Sequence, residues 1–183
     1  MKRALTSSVV LLFLVAATAP LAGQRKQRDP LSDAEVDQMR EAADFPNKRL
    51  ELLVKFARER MFNIESAEPD KDTPKTKVIH DQLEDFISIL DEIEDNIDMY
   101  SAHNADMRKG LKLLIEADSE WQLKLRQLKD KSSPDELQQF SFVLLNAADT
   151  VADNAKTGRE TLEEQNKLAA EKKLTKDYSE RKD

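Results

Sequence analysis

Apolar residues recur at alternating intervals of four and three between residues 79 and 128, and this spacing constrains the fold more than any other feature of the chain. The positions are Ile79, Leu83, Phe86, Leu90, Ile93, Ile97, Tyr100, Asn104, Met107, Leu111, Leu114, Asp118, Trp121, Leu125 and Leu128. Such alternation is typical of the a/d seam of a coiled coil, where one stripe of a helix packs against other helices. No proline lies between Pro74 and Pro134. The pattern therefore predicts one long helix over residues 75–131.

The remaining helices are predicted from capping signals and prolines. Ser32 and Ser133 are each followed three residues later by glutamate, which is the capping-box pattern at the start of a helix. Pro46 interrupts the first helix and can itself begin the next one. We expect helices over residues 33–44, 46–67, 75–131 and 134–174, so that 75–131 and 134–174 form a long helical hairpin.

These helices predict an all-α, antiparallel bundle with coiled-coil-like packing. The chain has only 3 glycines and 5% aromatic residues, a composition that suits long helices better than sheets. A two-stranded coil would leave several apolar residues beside the seam in water, namely Ile87, Ile89, Ile115 and Ala117. We therefore expect three helices, with a four-helix bundle as the alternative if the chain breaks at Gly110. The phase of the spacing from Tyr100 to Leu114 favours the unbroken helix.

Helix lengths then predict a candidate interaction surface at the tip of the hairpin. A helix over residues 75–131 would be roughly 80 Å long at 1.5 Å per residue, and the preceding helices would cover it only to about Gly110. The tip would carry more apolar side chains than two helices can bury, and such excess often marks association. The candidate residues are Ile115, Trp121, Phe140, Phe142, Val143 and Leu145. Alternatively, these side chains fill the end of the hairpin or are covered by another helix.

Two polar residues occupy seam positions and are candidates for setting the register of the bundle. A buried asparagine commonly specifies register and partner number in coiled coils, which is the role expected for Asn104. A buried carboxylate is costlier. We expect Asp118 to set the register, to face solvent or to cap a bend.

No residue constellation predicts catalysis, a cofactor or a metal site. The chain contains no phosphate-binding glycine loop, HExxH motif or nucleophile elbow. His80 and His103 lack the glutamate three residues earlier that di-iron bundles use. Residues 81–98 hold eight carboxylates without lysine or arginine, which we interpret as one side of a charge-matched interface rather than a calcium site. The basic side would be Lys48, Arg49, Lys55 and Arg58.

The first 23 residues are typical of a signal peptide. Lys2 and Arg3 precede an apolar stretch over residues 9–15, and small residues follow as far as Gly23. The pattern predicts export and cleavage near Ala22 or Gly23, and therefore a periplasmic or secreted protein without membrane insertion. An uncleaved N-terminal anchor is the alternative.

The ends and the charge of the chain complete these predictions. Residues 24–31 are expected to be a flexible lead, residues 32–174 the bundle domain, and residues 175–183 a frayed tail. The formal net charge is −7 before and −9 after removal of Lys2 and Arg3, which disfavours nucleic acid as a partner. With no cysteine, no disulfide can form after export.

The function expected from these features is that of an exported, non-enzymatic structural or protein-interaction module acting through the hairpin tip. Its partner would be another protein or a second copy of the chain. A periplasmic holdase-type chaperone is the first alternative, and a metal or cofactor carrier is the second.

Overall fold

The computed structural model describes residues 28–180 and their side chains as far as residue 173, and it contains five helices within that range. They are α1 (Asp33–Glu41), α2 (Pro46–Glu65), α3 (Lys75–Ala102), α4 (Arg108–Lys131) and α5 (Pro134–Glu180). The described residues contain no strand, so the all-α prediction is confirmed. The predicted signal peptide, residues 24–27 of the predicted lead and residues 181–183 of the predicted tail lie outside the described residues.

Helices α2 to α5 form a four-helix bundle whose polarity follows from contacts near its ends. Lys124 on α4 binds Glu65 on α2 at 2.8 Å, so these two neighbours run parallel. Thr76 on α3 donates a hydrogen bond to Gln139 on α5 at 2.6 Å, so these two also run parallel. Helix α2 packs on α3 and α4, and α5 packs on the same two helices. Helices α3 and α4 therefore lie at opposite corners of the bundle.

The unbroken helix predicted over residues 75–131 is wrong, because the chain leaves α3 at His103 and enters α4 at Arg108. Asn104 lies in the left-handed region with a φ of 54°. Its N–H donates to the Ser101 carbonyl and the Ala105 N–H donates to the Tyr100 carbonyl, each at 3.0 Å. This is the Schellman pattern of a helix end, in which asparagine is the usual substitute for glycine. The four-helix alternative is the one observed, with the break just before Gly110.

The seam keeps its phase across this break because residues on both sides of the connection enter the same core. Tyr100 at the end of α3 and Met107 at the start of α4 are both buried. The Tyr100 hydroxyl donates to the Ala43 carbonyl at 2.7 Å and so ties α3 to the α1–α2 connection. A regular apolar pattern therefore persists although the helix does not.

The first turn of α4 is capped by a side chain from α2. Met107 at the N-cap position of α4 makes no side-chain capping bond. Instead, Asn47 Oδ1 accepts from the N–H groups of Lys109 at 3.0 Å and Gly110 at 2.9 Å. Its Nδ2 donates to the Asp106 carbonyl at 2.6 Å. The bonds that a local cap would supply are thus made by a residue about 60 positions earlier.

Helix α1 is held on α2 by a buried ion pair. Arg60 donates to both carboxylate oxygens of Glu35, at 3.0 and 2.7 Å, and also to the Pro30 carbonyl at 2.7 Å. Glu35 in turn forms the predicted capping box with Ser32. Burial alone would raise the pKa of Glu35, but the hydrogen bonds from Arg60 and Ser32 outweigh it and lower that pKa. The pair fastens a helix of only 9 residues to the bundle.

The last helix begins where it was predicted to begin but ends later. The second capping box is present, with the Ser133 N–H and hydroxyl both donating to Glu136. Helix α5 continues to Glu180 rather than ending near residue 174. Gln165 contacts the α3–α4 connection at the end of the bundle, so the part of α5 that follows Gln165 extends beyond the bundle.

No helix among the described residues is apolar over a length that could cross a membrane.

Candidate interaction surface

The six residues predicted to form an interaction surface do not lie together. Trp121, Phe140 and Val143 are buried, so their predicted place on an exposed interaction surface is wrong. Because the chain turns back at the break, α4 packs beside α2 and faces α3 across the core. There the Trp121 ring meets the Phe86 ring edge to face, with 5.3 Å between the ring centroids. A two-stranded tip therefore does not exist.

Three of the six residues remain at least partly accessible on the outside of the bundle. Ile115 is half-buried beside Gly158 of α5. Phe142 is 86% exposed and Leu145 is 62% exposed. Since these two residues lie three positions apart on α5, they share one side of that helix. They are the part of the predicted surface that can meet a partner directly.

The two polar seam residues have different positions from those expected. Asn104 ends α3 in an exposed connection, so a register-setting position inside the seam is wrong for it. Asp118 is fully buried, and neither carboxylate oxygen has a hydrogen-bond partner. Exposure to solvent or capping of a bend is therefore wrong for Asp118. Burial raises the pKa of Asp118 to about 7, although the charge of Arg159 acts in the opposite direction.

A groove of about 1060 Å³ runs between α3 and α5, and Phe142 forms part of its wall. Val143 and Ile87, which are almost buried, contribute apolar surface to it. The α3 side of the groove carries three carboxylates, one lysine and three polar groups, namely Asp81, Glu84, Asp85, Lys77, Thr76, His80 and Ser88. The groove thus presents an exposed aromatic ring close to a set of carboxylates. We call it the α3/α5 groove.

The lead of the chain reaches into the α3/α5 groove through Arg28. Its guanidinium lies 2.7 Å from Asp85 Oδ2 and 3.5 Å from Asp81 Oδ2, and it donates to the Asp81 carbonyl at 2.8 Å. The hydrogen bond to Asp85 raises the pKa of Arg28. Burial raises the pKa of Asp85, although Arg28 opposes this effect. The acidic side of the groove therefore binds a guanidinium contributed by the same chain.

The acidic run on α3 meets the predicted basic residues of α2 at one position. Arg49 binds Glu92 at 3.0 Å. Arg58 instead binds Glu120 on α4 at 3.3 Å. Lys48 and Lys55 form ion pairs within α2 with Glu51 and Glu59. A fully charge-matched α2/α3 interface is therefore wrong, and most of the acidic run faces outward.

Within the described residues, His80, Asp81 and Glu84 can bring one ligand atom each within 4.8 Å of the others. Lys77 already binds Asp81 Oδ2 at 2.6 Å, and Arg28 approaches the same oxygen. Two cationic side chains thus compete for a central carboxylate of the cluster. This geometry gives a metal ion little advantage over the protein's own charges.

A second concave area of about 680 Å³ lies on the opposite side of the bundle, along α2. Phe62, which is 65% exposed, lines it together with Leu113 and the basic residues Lys48, Lys55 and Arg58. Its lining also includes Glu51 and Glu59, which pair with Lys48 and Lys55, so this area combines an exposed phenyl ring with paired charges of both signs.

Sequence reasoning did not find the α3/α5 groove or the contact of Arg28. The available signal was the position of Phe142 and Leu145 beside the seam of the last helix, on a side that the a/d pattern leaves unburied. No protein-family model matches the chain, and no significant match to it was found among curated proteins or solved structures.

Proposed function

We propose that this protein is an exported, non-enzymatic protein-interaction module that binds its partner in the α3/α5 groove. The observation that carries the proposal is the 86% exposure of Phe142, next to Leu145, on the rim of that groove. A large apolar side chain held on a rigid helix loses little conformational freedom on binding, and aromatic residues commonly anchor interfaces. Export rests on the signal-like pattern of residues 1–23.

The partner expected for this surface is a protein segment that carries an arginine or lysine close to an apolar side chain. The acidic wall provides Asp81, Glu84 and Asp85, and the Glu84 side chain is 59% exposed. Arg28 binds both aspartates and Lys77 also binds Asp81, so the cation of a partner would meet the exposed Glu84 directly or displace Arg28. The apolar neighbour of that cation would cover Phe142. Complementary charge would also increase the rate of association at low ionic strength.

A selection from random peptides tests this proposal and does not require the natural partner to be identified. A display library is selected on the immobilised protein, and individual peptides are then measured by fluorescence anisotropy. We expect enriched peptides to combine a basic residue with leucine or an aromatic residue. Phe142→Ala should weaken their binding at least roughly tenfold, which corresponds to about 1.4 kcal/mol and is typical of an anchor residue.

The matched control is Phe62→Ala, which removes an equally large exposed ring from the opposite side of the bundle. Both substitutions remove exposed side chains and should leave unfolding by urea nearly unchanged. Equal binding by the Phe142→Ala, Phe62→Ala and unaltered proteins would refute the proposed site.

Two further outcomes distinguish the alternatives. Weak binding of many unrelated unfolded proteins, unaffected by Phe142→Ala, would favour the holdase over the specific module. A dimer in light scattering that dissociates on Phe142→Ala would identify a second copy of the chain as the occupant and overturn the separate basic partner.

A further inference from the structure

Asp118 is a carboxyl group in the centre of the bundle that the proposed function does not use. Its side chain is fully buried, and both of its oxygens lack a hydrogen-bond donor. An ionised carboxylate in such surroundings has lost its hydration without gaining compensating bonds. The bundle around Asp118 is therefore built for the neutral form of the side chain.

The register of α4 against α5 places Asn154 opposite Asp118. The Met107 N–H donates to Gln165 Oε1 at 2.9 Å, and Gly158 packs against Leu114. One helical turn further along both helices, the same antiparallel register aligns Asp118 with Asn154.

Asn154 is itself buried, and its Oδ1 also lacks a partner. Its Nδ2 donates to the Thr150 carbonyl at 3.3 Å, which orients the amide. The unpartnered oxygens of Asp118 and Asn154 are acceptors, and a protonated Asp118 would add a donor between α4 and α5; the indole N–H of Trp121, one turn along α4, is a further unpartnered donor.

Few positive charges are placed to stabilise the ionised form of Asp118. Arg159 on α5 is exposed, and its positive charge is the one that lowers the pKa of Asp118, against the larger effect of burial. The charged residues of α2 and α3 near this level are paired with other side chains or exposed to solvent. Arg58 binds Glu120, Arg60 binds Glu35, Asp85 binds Arg28, and Asp91 is exposed at the surface of α3.

We propose that Asp118 is a protonation-dependent latch between α4 and α5, which keeps the bundle closed while neutral and loosens this helix pair when it ionises. Loosening would give solvent access to the apolar side chains packed next to it, above all Trp121 one turn away. The loss of the proton would occur close to neutral pH, since burial raises the pKa of this carboxyl to about 7.

The direction of the effect follows from proton linkage. The ordinary pKa of an aspartate is 3.8, so the unfolded chain releases this proton at lower pH than the folded protein does. Asp118 therefore makes the unfolding equilibrium constant rise with pH, about tenfold per pH unit between roughly pH 4 and pH 7. Above that range its effect is constant.

Trp121 provides a direct readout because it is the only tryptophan of the chain and is fully buried. The emission maximum of Trp121 and its quenching by acrylamide are measured on the purified protein from about pH 5 to about pH 9. We expect emission to shift to longer wavelength and quenching to increase with a midpoint near the pKa of about 7. Asp118→Asn should abolish this transition, because an amide does not ionise.

The matched control is Asp153→Asn, which makes the same substitution at an exposed position on α5. It should leave the transition unchanged. The latch is overturned if the unaltered protein shows no change in emission or quenching across the range, or if Asp118→Asn retains the full transition. A carboxyl ¹³C NMR titration of the unaltered protein, which needs no variant, overturns it if Asp118 titrates near the ordinary value of 3.8.

Discussion

Replacing each buried glycine by alanine should have opposite effects on stability at the two positions, because their surroundings differ. A Cβ at Gly110 would lie 2.7 Å from Leu50 Cβ and 2.9 Å from Leu50 Cδ1. A Cβ at Gly158 would lie 3.3 Å from Leu114 Cδ2 and 3.6 Å from Ile115 Cγ1. The closest atom at Gly110 is a Cβ fixed to the backbone of α2, whereas the closest atom at Gly158 is the terminal methyl of a rotatable leucine side chain.

The expected magnitudes follow from two competing contributions. Alanine is better than glycine in a helix interior by about 1 kcal/mol. Overpacking of a closed core costs about 1–3 kcal/mol, and at Gly110 it can be relieved only by moving α2 away from α4. Such a movement would also stretch the bonds from Asn47. We therefore expect Gly110→Ala to destabilise the protein by roughly 1–2 kcal/mol and Gly158→Ala to stabilise it by up to about 1 kcal/mol.

Urea unfolding followed by far-UV circular dichroism measures both free energies of unfolding. The slope of each transition should stay constant, so that changes in its midpoint report stability. The close approach of α2 and α4 is refuted if Gly110→Ala unfolds at the same urea concentration as the unaltered protein. It is also refuted if both substitutions shift the midpoint equally.

Three further substitutions test other contacts. Asn47→Ala removes the cap that α2 provides for α4 and should lower the free energy of unfolding by about 1–2 kcal/mol in urea titration; no change would contradict that capping role. Arg60→Met leaves Glu35 buried without its partner and should cost about 3 kcal/mol, with faster hydrogen exchange in α1, and protection equal to the unaltered protein would contradict the clamp. Asp118→Leu should raise the free energy of unfolding by at most about 4 kcal/mol at pH 8, where Asp118 is ionised in the unaltered protein. Below pH 7 this gain should shrink by about 1.4 kcal/mol for each pH unit. A gain independent of pH would contradict the raised pKa of Asp118.

The sequence predicted the buried faces of the bundle well because burial follows helical periodicity. The seam positions from Ile79 to Tyr100 and from Leu111 to Leu125 are all buried, as the four-and-three spacing requires. Asp118 shows the limit of that reasoning. Periodicity places it on the buried stripe, but its charge made exposure to solvent an equally acceptable expectation. The side chain is nevertheless fully buried in the bundle.

Helix continuity could not be read from the same spacing. The signal for the break was Asn104, whose side chain tolerates the left-handed backbone that ends a helix. The contact between α4 and Asn47 joins residues about 60 positions apart, and no local pattern predicts such a pair. The alternative break at Gly110 was placed a few residues too late, because Gly110 lies in the first turn of α4, where it permits the approach of α2.

The projection of α5 has a mechanical consequence. About 15 residues follow Gln165 in that helix, which corresponds to a helical arm of roughly 22 Å. A tilt of α5 by about 10° would displace the far end of such an arm by roughly 4 Å. Small rearrangements between α4 and α5 would thus be amplified into a movement large enough to make or break a contact with a neighbouring molecule.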